Sequence, residues 1–302
     1  MISTAYNPQT AAFLAGLNAI EARAQQAQSE LTTGMKLNQI SDDPSGVPNL
    51  LQVEANISQN DQITSNLSRV NTETTSAETA LSDAVTQLQQ AQSLAAEGAT
   101  DFASSDTRQQ LAAQLGDVLQ NMVGLSNTSV EGRYIFAGDD DQQQPYTIDM
   151  TQTDPVSAYL GSASTRQIQA PDGTMFSVSE SAQDIFDSST ANNNVFNAIN
   201  NARLALLNND DSSLTDAQAQ LSTAGSYLND QLAFYGTVQD QLTSATNDAN
   251  SLSTSLQTER SNIQDADETQ SITNLTMAQT QEEAALSSEA ALPQKTLFDY
   301  LG

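Results

Sequence analysis

The side chains in this chain that could carry chemistry are almost all carboxylates. Glu282-Glu283, Glu289 and Asp299 gather near the C-terminal end, and Asp139-Asp140-Asp141 form an uninterrupted acidic run. Paired carboxylates can act as general acid and base when their surroundings push their proton affinities apart. The C-terminal group, however, lies on a periodic helical stretch with no pocket signal around it, so it does not read as a catalytic pair. The Asp run has the charge of a calcium loop but lacks the Gly and terminal Glu of EF-hand spacing, and it reads as a solvated loop. There is no His and no Cys, which removes imidazole acid-base catalysis, thiol nucleophiles, disulfides and the common zinc sites. No Gly-rich loop has dinucleotide or P-loop spacing. The expectation is a non-enzyme, with no catalytic residue, no cofactor and no metal.

With chemistry set aside, the question becomes what the chain builds. Its 302 residues are 38% hydrophobic and 5% aromatic with no Trp, too little apolar volume for a thick globular core. Ala, Gln, Asn, Ser and Thr fill the remainder, as suits long helices with a narrow apolar stripe. The net charge of −28 comes from 37 acidic against nine basic residues, and no segment concentrates Lys or Arg. Nucleic acid and anionic membrane surfaces are therefore not expected partners. The opening residues, MISTAYNPQTAAFLAGLNAI, have neither a basic n-region nor a continuous apolar run, so no cleavable signal peptide is expected. No stretch approaches the roughly 18 apolar residues of a membrane span.

Periodicity supplies the elements. Thr10, Phe13, Leu17, Ile20, Ala24, Ala27 and Leu31 advance by alternating steps of three and four, the spacing of a helix seam, and Gly34 marks its stop. Asp43-Pro44 reads as an N-cap followed by proline at the first helical position. From there Leu50, Val53, Ile57, Leu67, Val70, Leu81 and Leu88 predict a helix running to Glu97-Gly98. A third helix is predicted from about Asp106. At Gly132 to Gly138 (GRYIFAG) the helical period ends and does not return until about Asn192. Within that gap, Thr165 to Ala170 and Thr174 to Ser179 flank Pro171-Asp172-Gly173, a hairpin signal. After a break at Asn208 to Asp211, Leu221, Ala224, Leu228, Tyr235, Val238, Leu242, Ala245, Ala249, Leu252 and Leu256 form the longest seam in the chain. A weaker pattern from about Asp267 carries Ile272, Leu275, Ala278, Ala285, Leu286 and Leu292, before Leu297-Phe298-Asp299-Tyr300-Leu301.

The expected fold is mainly α: an elongated antiparallel coiled-coil or helix bundle drawn from both chain ends, with a small β-rich insert. Residues 1–44 with 261–302 form a terminal helical domain, 45–132 with 190–260 a long-helix rod, and 133–189 the outer insert. If the long helices pair antiparallel, both terminal seams emerge at one end. Ordering about 40 terminal residues costs on the order of tens of kcal/mol in backbone entropy, which a single two-helix contact hardly offsets. The termini are thus expected to be ordered by neighbouring copies. Phe13, Leu17, Ile20 and Leu31 could equally serve an ordinary intramolecular interface.

Three phrases resemble the bacterial flagellins and hook-associated junction proteins. Leu31-Thr32-Thr33-Gly34-Met35-Lys36-Leu37-Asn38, continued by Ser41-Asp42-Asp43-Pro44, is similar to the N-terminal signature of that family. Asp265-Ala266-Asp267 and the terminal Leu297 to Leu301 are similar to its C-terminal signature, and GRYIFAG resembles the phrase opening the insert of its hook–filament junction members. The resemblance implies a structural subunit of the bacterial flagellum at the hook–filament junction, with the major filament subunit as the alternative in the same family. A secreted coiled-coil adhesin or translocator is a third possibility, but it needs no matched signatures at both ends. The resemblance further implies export without a cleaved signal, an extracellular location, and a homo-oligomer meeting another hook-associated protein and flagellin. It also implies an export chaperone on the C-terminal helix. Subunit packing then falls to Phe13, Leu17, Ile20 and Leu31 at one end, and to Ile272, Leu275, Leu286, Leu292, Leu297, Phe298, Tyr300 and Leu301 at the other. Deleting Leu292 to Gly302 should leave the central helices folded, with an unchanged circular dichroism melt, and abolish assembly as read by sedimentation.

Overall fold

Helices persist where the three-four apolar spacing persists, and two of them, ending before Gly34 and Asn209, stop at a left-handed residue. The computed structural model describes residues 8–39, 41–100, 102–190 and 193–291. In chain order these residues form α1 (Pro8–Thr33), α2 (Gly46–Gly98), α3 (Ser105–Ser126), β1 (Ser129–Val130), β2 (Arg133–Tyr134), β3 (Gln167–Gln169), β4 (Met175–Ser177), α4 (Ala182–Phe186), α5 (Val195–Asn208), α6 (Asp211–Gln264) and α7 (Glu268–Ala291). The chain is mainly α, as its periodicity predicts. Before α2, the Asp43 carboxylate accepts hydrogen bonds from the Ser45 amide and hydroxyl, at 3.0 and 2.6 Å. These bonds and the Gly46 amide hold that carboxyl below its ordinary proton affinity. Asp43 caps as expected, and regular helix begins three residues on, within the usual latitude of a helix end. Between α5 and α6, Asn209 turns left-handed at φ 53°. Asp210 then caps the next helix by accepting the amides of Ser212 and Ser213.

The chain forms two compact units, residues 1–59 with 253–302, and residues 60–252. In the second unit α2 and α6 run antiparallel. Asn60 Nδ2 donates to the Ala249 carbonyl, Gln239 Nε2 to Glu78, and Gln92 Nε2 to the Leu221 carbonyl, so ascending positions on one helix meet descending positions on the other. Seam positions Leu67, Leu81, Leu88, Leu221, Leu228 and Leu242 are buried, each stabilising the pair by about 2 kcal/mol. Helices α3 and α5 bring Leu115, Leu119, Met122, Ile199 and Leu206 into one core with Leu81, Leu88, Leu221 and Leu228.

The stretch between α3 and α5 is less extended than its alternation predicts. β1 and β2 pair through a two-residue turn in which Glu131 and Gly132 both have positive φ, at 52° and 78°, a turn whose twist matches the strands. β3 and β4 form the expected hairpin, with Gln167 opposite Ser177, over a turn closed by Gly173 at φ 89°. Each strand is only three residues long. A short helix, α4, also interrupts the stretch; it is capped by Ser181 accepting from the Asp184 amide, and one turn is too brief to register as periodicity.

Side chains of this stretch do not form a core of their own. Phe136 of GRYIFAG lies edge-on to Phe186 and Tyr235, with centroids 6.0 and 6.3 Å apart. Phe186 stacks on Phe196 of α5, which meets Tyr146 at 5.0 Å. Tyr235 of α6 is fully buried, which raises its phenol above the usual range; its oxygen accepts the Glu180 amide at 3.2 Å.

Electrostatics ties the same stretch to α2. The buried Glu73 carboxylate takes Arg133 Nη2 on one oxygen at 2.9 Å and Arg166 Nη1 on the other at 2.8 Å. Asp141 completes the network with Arg133 at 3.2 Å. Two of nine cations converge on one buried anion, and a fully buried pair broken on one side costs about 3–5 kcal/mol. Both guanidinium groups here are about one-third exposed, which moderates that figure. Glu73→Gln should therefore cost about 2 kcal/mol, read as a lower urea midpoint at unchanged slope.

Candidate assembly interface

The first unit is built from the two ends of the chain. α1 and α7 are antiparallel, because Glu30 near the end of α1 accepts the Ser271 hydroxyl at the start of α7 at 2.6 Å. Their closest approach is lined by small side chains, with Ala27, Ser271 and Ala278 each only 2–3% exposed. Small residues let two helices come close, whereas larger ones are displaced to the margins of the contact.

A short antiparallel crossing closes this pair. The Ala266 amide donates to the Gly34 carbonyl at 2.9 Å, and the Lys36 amide donates to the Gln264 carbonyl at 2.8 Å. Lys36 Nζ reaches the Asn262 carbonyl at 2.7 Å. Gly34 sits at φ 72°, a backbone state that side chains resist. Asn38 Nδ2 returns to the Met35 carbonyl and the Thr33 hydroxyl, while Asp42 accepts the amides of Asn38 and Gln39. The Thr-Gly-Met-Lys-Leu-Asn phrase and the Asp265-Ala266-Asp267 phrase, from opposite ends of the chain, are thus hydrogen-bonded to each other. The N-terminal helical region of bacterial flagellin matches residues 2–141, and its C-terminal helical region matches residues 197–301.

The chain belongs to the bacterial flagellin family.

Among curated proteins, the flagellar hook-associated protein 3 of Escherichia coli (strain K12) is 25% identical over 178 residues, which are 59% of this chain and 54% of that protein. The chain therefore spans about half the length of the curated relative it matches. Solved structures share the fold. A putative flagellar hook-associated protein from Vibrio parahaemolyticus superposes with TM-score 0.66 at 17% identity, covering 74% of this chain and all of that one. Flagellar hook-associated protein-3 from Legionella pneumophila gives 0.59 at 13% identity, covering 70% and 99%. The two matched regions leave residues 142–196 between them, so GRYIFAG falls inside the N-terminal match and the β3–β4 hairpin falls outside both.

The structure sorts the expected packing residues into two groups. Phe13, Leu17, Ile20 and Leu31 of α1 are half-buried, as is Leu275 of α7; with Ala27 and Ala278 they follow the inward stripe. Ile272 and Leu286 do not join that stripe, being 56% and 50% exposed. They are fourteen positions apart, about 40° on a helical wheel, and so share an outward face of α7. Leu292, Leu297, Phe298, Tyr300 and Leu301 lie outside the described residues.

Sequence reasoning missed three participants. Ser271 is buried, although its type suggested surface; its signal was the stripe position before Leu275 and Ala278. Leu14 and Met277 are about half exposed, and their signal was an apolar residue off the seam. Met277 lines a groove of about 280 Å³ beside the pair, with Arg23, Gln26, Glu30, Asn274 and Gln281. This surface can bury apolar area against another helix. Replacing Leu14, or Ile272 and Leu286 together, with Glu should leave the melting transition of the isolated chain within a few degrees and suppress assembly in sedimentation.

Proposed function

We propose that this chain is a non-catalytic structural subunit of the bacterial flagellum that forms the hook–filament junction, its terminal helices packing against those of neighbouring copies. The observation that carries the reading is the α1–α7 pair, whose inward stripe is narrow and small while Leu14, Ile272 and Leu286 point apolar surface outward. A lone two-helix pair gains too little from burial to explain such exposure, but a ring of copies would cover it. The hook-associated name of the curated relative supports the junction over the filament.

In this reading α1 and α7 line the inner part of the assembled structure, in contact with copies of the chain. Residues 1–44 with 261–302 act as the assembly domain, 45–132 with 190–260 as the long-helix domain, and 133–189 face outward. One axial face meets another hook-associated protein and the other meets flagellin. The chain reaches the cell exterior, and a chaperone covers the C-terminal helix before export. The test is immunogold labelling of intact flagella in a strain expressing a tagged copy. A single band at the distal end of the hook is expected. Label along the whole filament would assign the chain to the filament instead, and unlabelled flagella would remove it from the organelle.

A further inference from the structure

Phe102, in the connection between α2 and α3, is 98% exposed, and no feature of the fold requires a Phe there. The turn is formed by its neighbours. The Thr100 amide donates to the Glu97 carbonyl, the Ala103 amide to the Thr100 carbonyl, and Ser104 caps α3 by accepting the Thr107 amide. The connection between α5 and α6 lies alongside, with Asn209 Nδ2 on Ser105 Oγ and Arg108 paired to Asp211 at 2.7 Å. Leu207, on the last turn of α5, is 40% exposed at this end of the second unit.

The surroundings are acidic. Glu97, Asp106 and Asp210 are exposed, and none of them takes part in an ion pair among the described residues. Asp106 and Asp210 have a local reason to be there, since helix N-termini favour acids. Their charge alone therefore designates nothing. A fully exposed aromatic ring amid them has no such reason, because Phe typically stabilises by burying its whole surface and anchors interfaces when a pocket receives it.

We propose that Phe102 is the anchor of a docking surface for a different protein chain, one that presents an apolar pocket rimmed by Lys or Arg. Charge complementarity selects this occupant over a second copy. The chain has nine basic residues, and in its second unit Arg108, Arg133 and Arg166 are engaged in ion pairs while Arg203 holds Asn200. That leaves Arg69 in this unit; in the other, Arg23 reaches the Ala19 carbonyl and Lys36 the Asn262 carbonyl, and a second copy, with 37 acidic residues against nine basic, brings a like-charged surface rather than a basic rim. The inference rests on the junction reading, in which this chain meets flagellar proteins unlike itself, and it assigns one such contact to this end of the second unit.

The test places the photo-reactive p-benzoylphenylalanine at position 102 of the full chain, in cells lacking their own copy, with exposed Gln109 as the control position. Flagella are isolated and irradiated, and the adducts are read by mass spectrometry. The expected adduct joins position 102 to a peptide of another chain carrying Lys or Arg beside apolar residues. Its yield should fall several-fold in Asp106→Asn/Asp210→Asn, where Asn at 210 keeps the α6 cap and Ser104 still caps α3. It should also fall when salt rises from about 0.1 to about 1 M, as the screening length drops from about 10 to about 3 Å. Phe102→Ala should melt like the wild type and still enter flagella while retaining fewer filaments. Adducts only to copies of this chain, a yield no higher than at position 109, or a yield indifferent to charge and salt would each overturn the proposal. Flagella without the chain would overturn the junction reading as well, whereas flagella that contain it but lack the heterologous adduct would overturn this inference alone.

Discussion

Antiparallel packing of α2 on α6 is the constraint on which the second unit depends. Neither helix has a stripe wide enough to be stable by itself, and each is polar over most of its circumference. Leu81 and Leu88 on one helix and Leu221 and Leu228 on the other supply the buried area. Gln92 and Gln218 then donate across the seam to the Leu221 and Ala95 carbonyls. Leu-Leu contacts tolerate sliding, whereas an amide reaching one particular carbonyl does not. The polar bonds thus set the register that the apolar stripe leaves open.

Once that register exists, the non-helical stretch has somewhere to attach. Phe136 and Phe186 bury rings beside Tyr235 of α6, and Ile168 and Val178 of the hairpin cover Leu67, Val70 and Leu242. Glu73 fixes the other side through Arg133 and Arg166. In a chain this poor in cations, spending two on one buried carboxylate gives the insert a single seating. The two-stranded pieces need it, since isolated ribbons of two or three residues are not stable in water. The same scarcity leaves much of the acidic surface without partners, so the surface charge remains strongly one-signed.

The first unit follows a different logic. Its seam is small: Ala27, Ser271 and Ala278 allow close approach but bury little apolar area. The Gly34–Ala266 crossing supplies main-chain hydrogen bonds in compensation. What remains outward, Leu14 and the Ile272–Leu286 face, is a property of the pair that neither helix has alone.

Much of this was legible in the residues. Helix periodicity is a local property, set by which side chains recur every three or four positions, and so the limits of α2 and the starts of α3, α6 and α7 could be read to within a few residues. So could the cap at Asp43 and the Gly173 turn, because backbone angles and short-range hydrogen bonds constrain residue type directly. The N-terminal family signature was legible for the same reason, as Thr33, Met35, Asn38 and Asp42 satisfy one another within a few residues. Short β segments and the single turn of α4 were not sharply legible, since two or three residues carry too little pattern. Tertiary structure alone decided that Ile272 and Leu286 turn away from α1 while Leu275 turns toward it, that Ser271 is buried, and that Glu73 meets two arginines far along the chain. Periodicity states that a helix has an apolar stripe, but which part of that stripe is covered depends on the width of the partner brought against it, and that partner comes from the other end of the sequence.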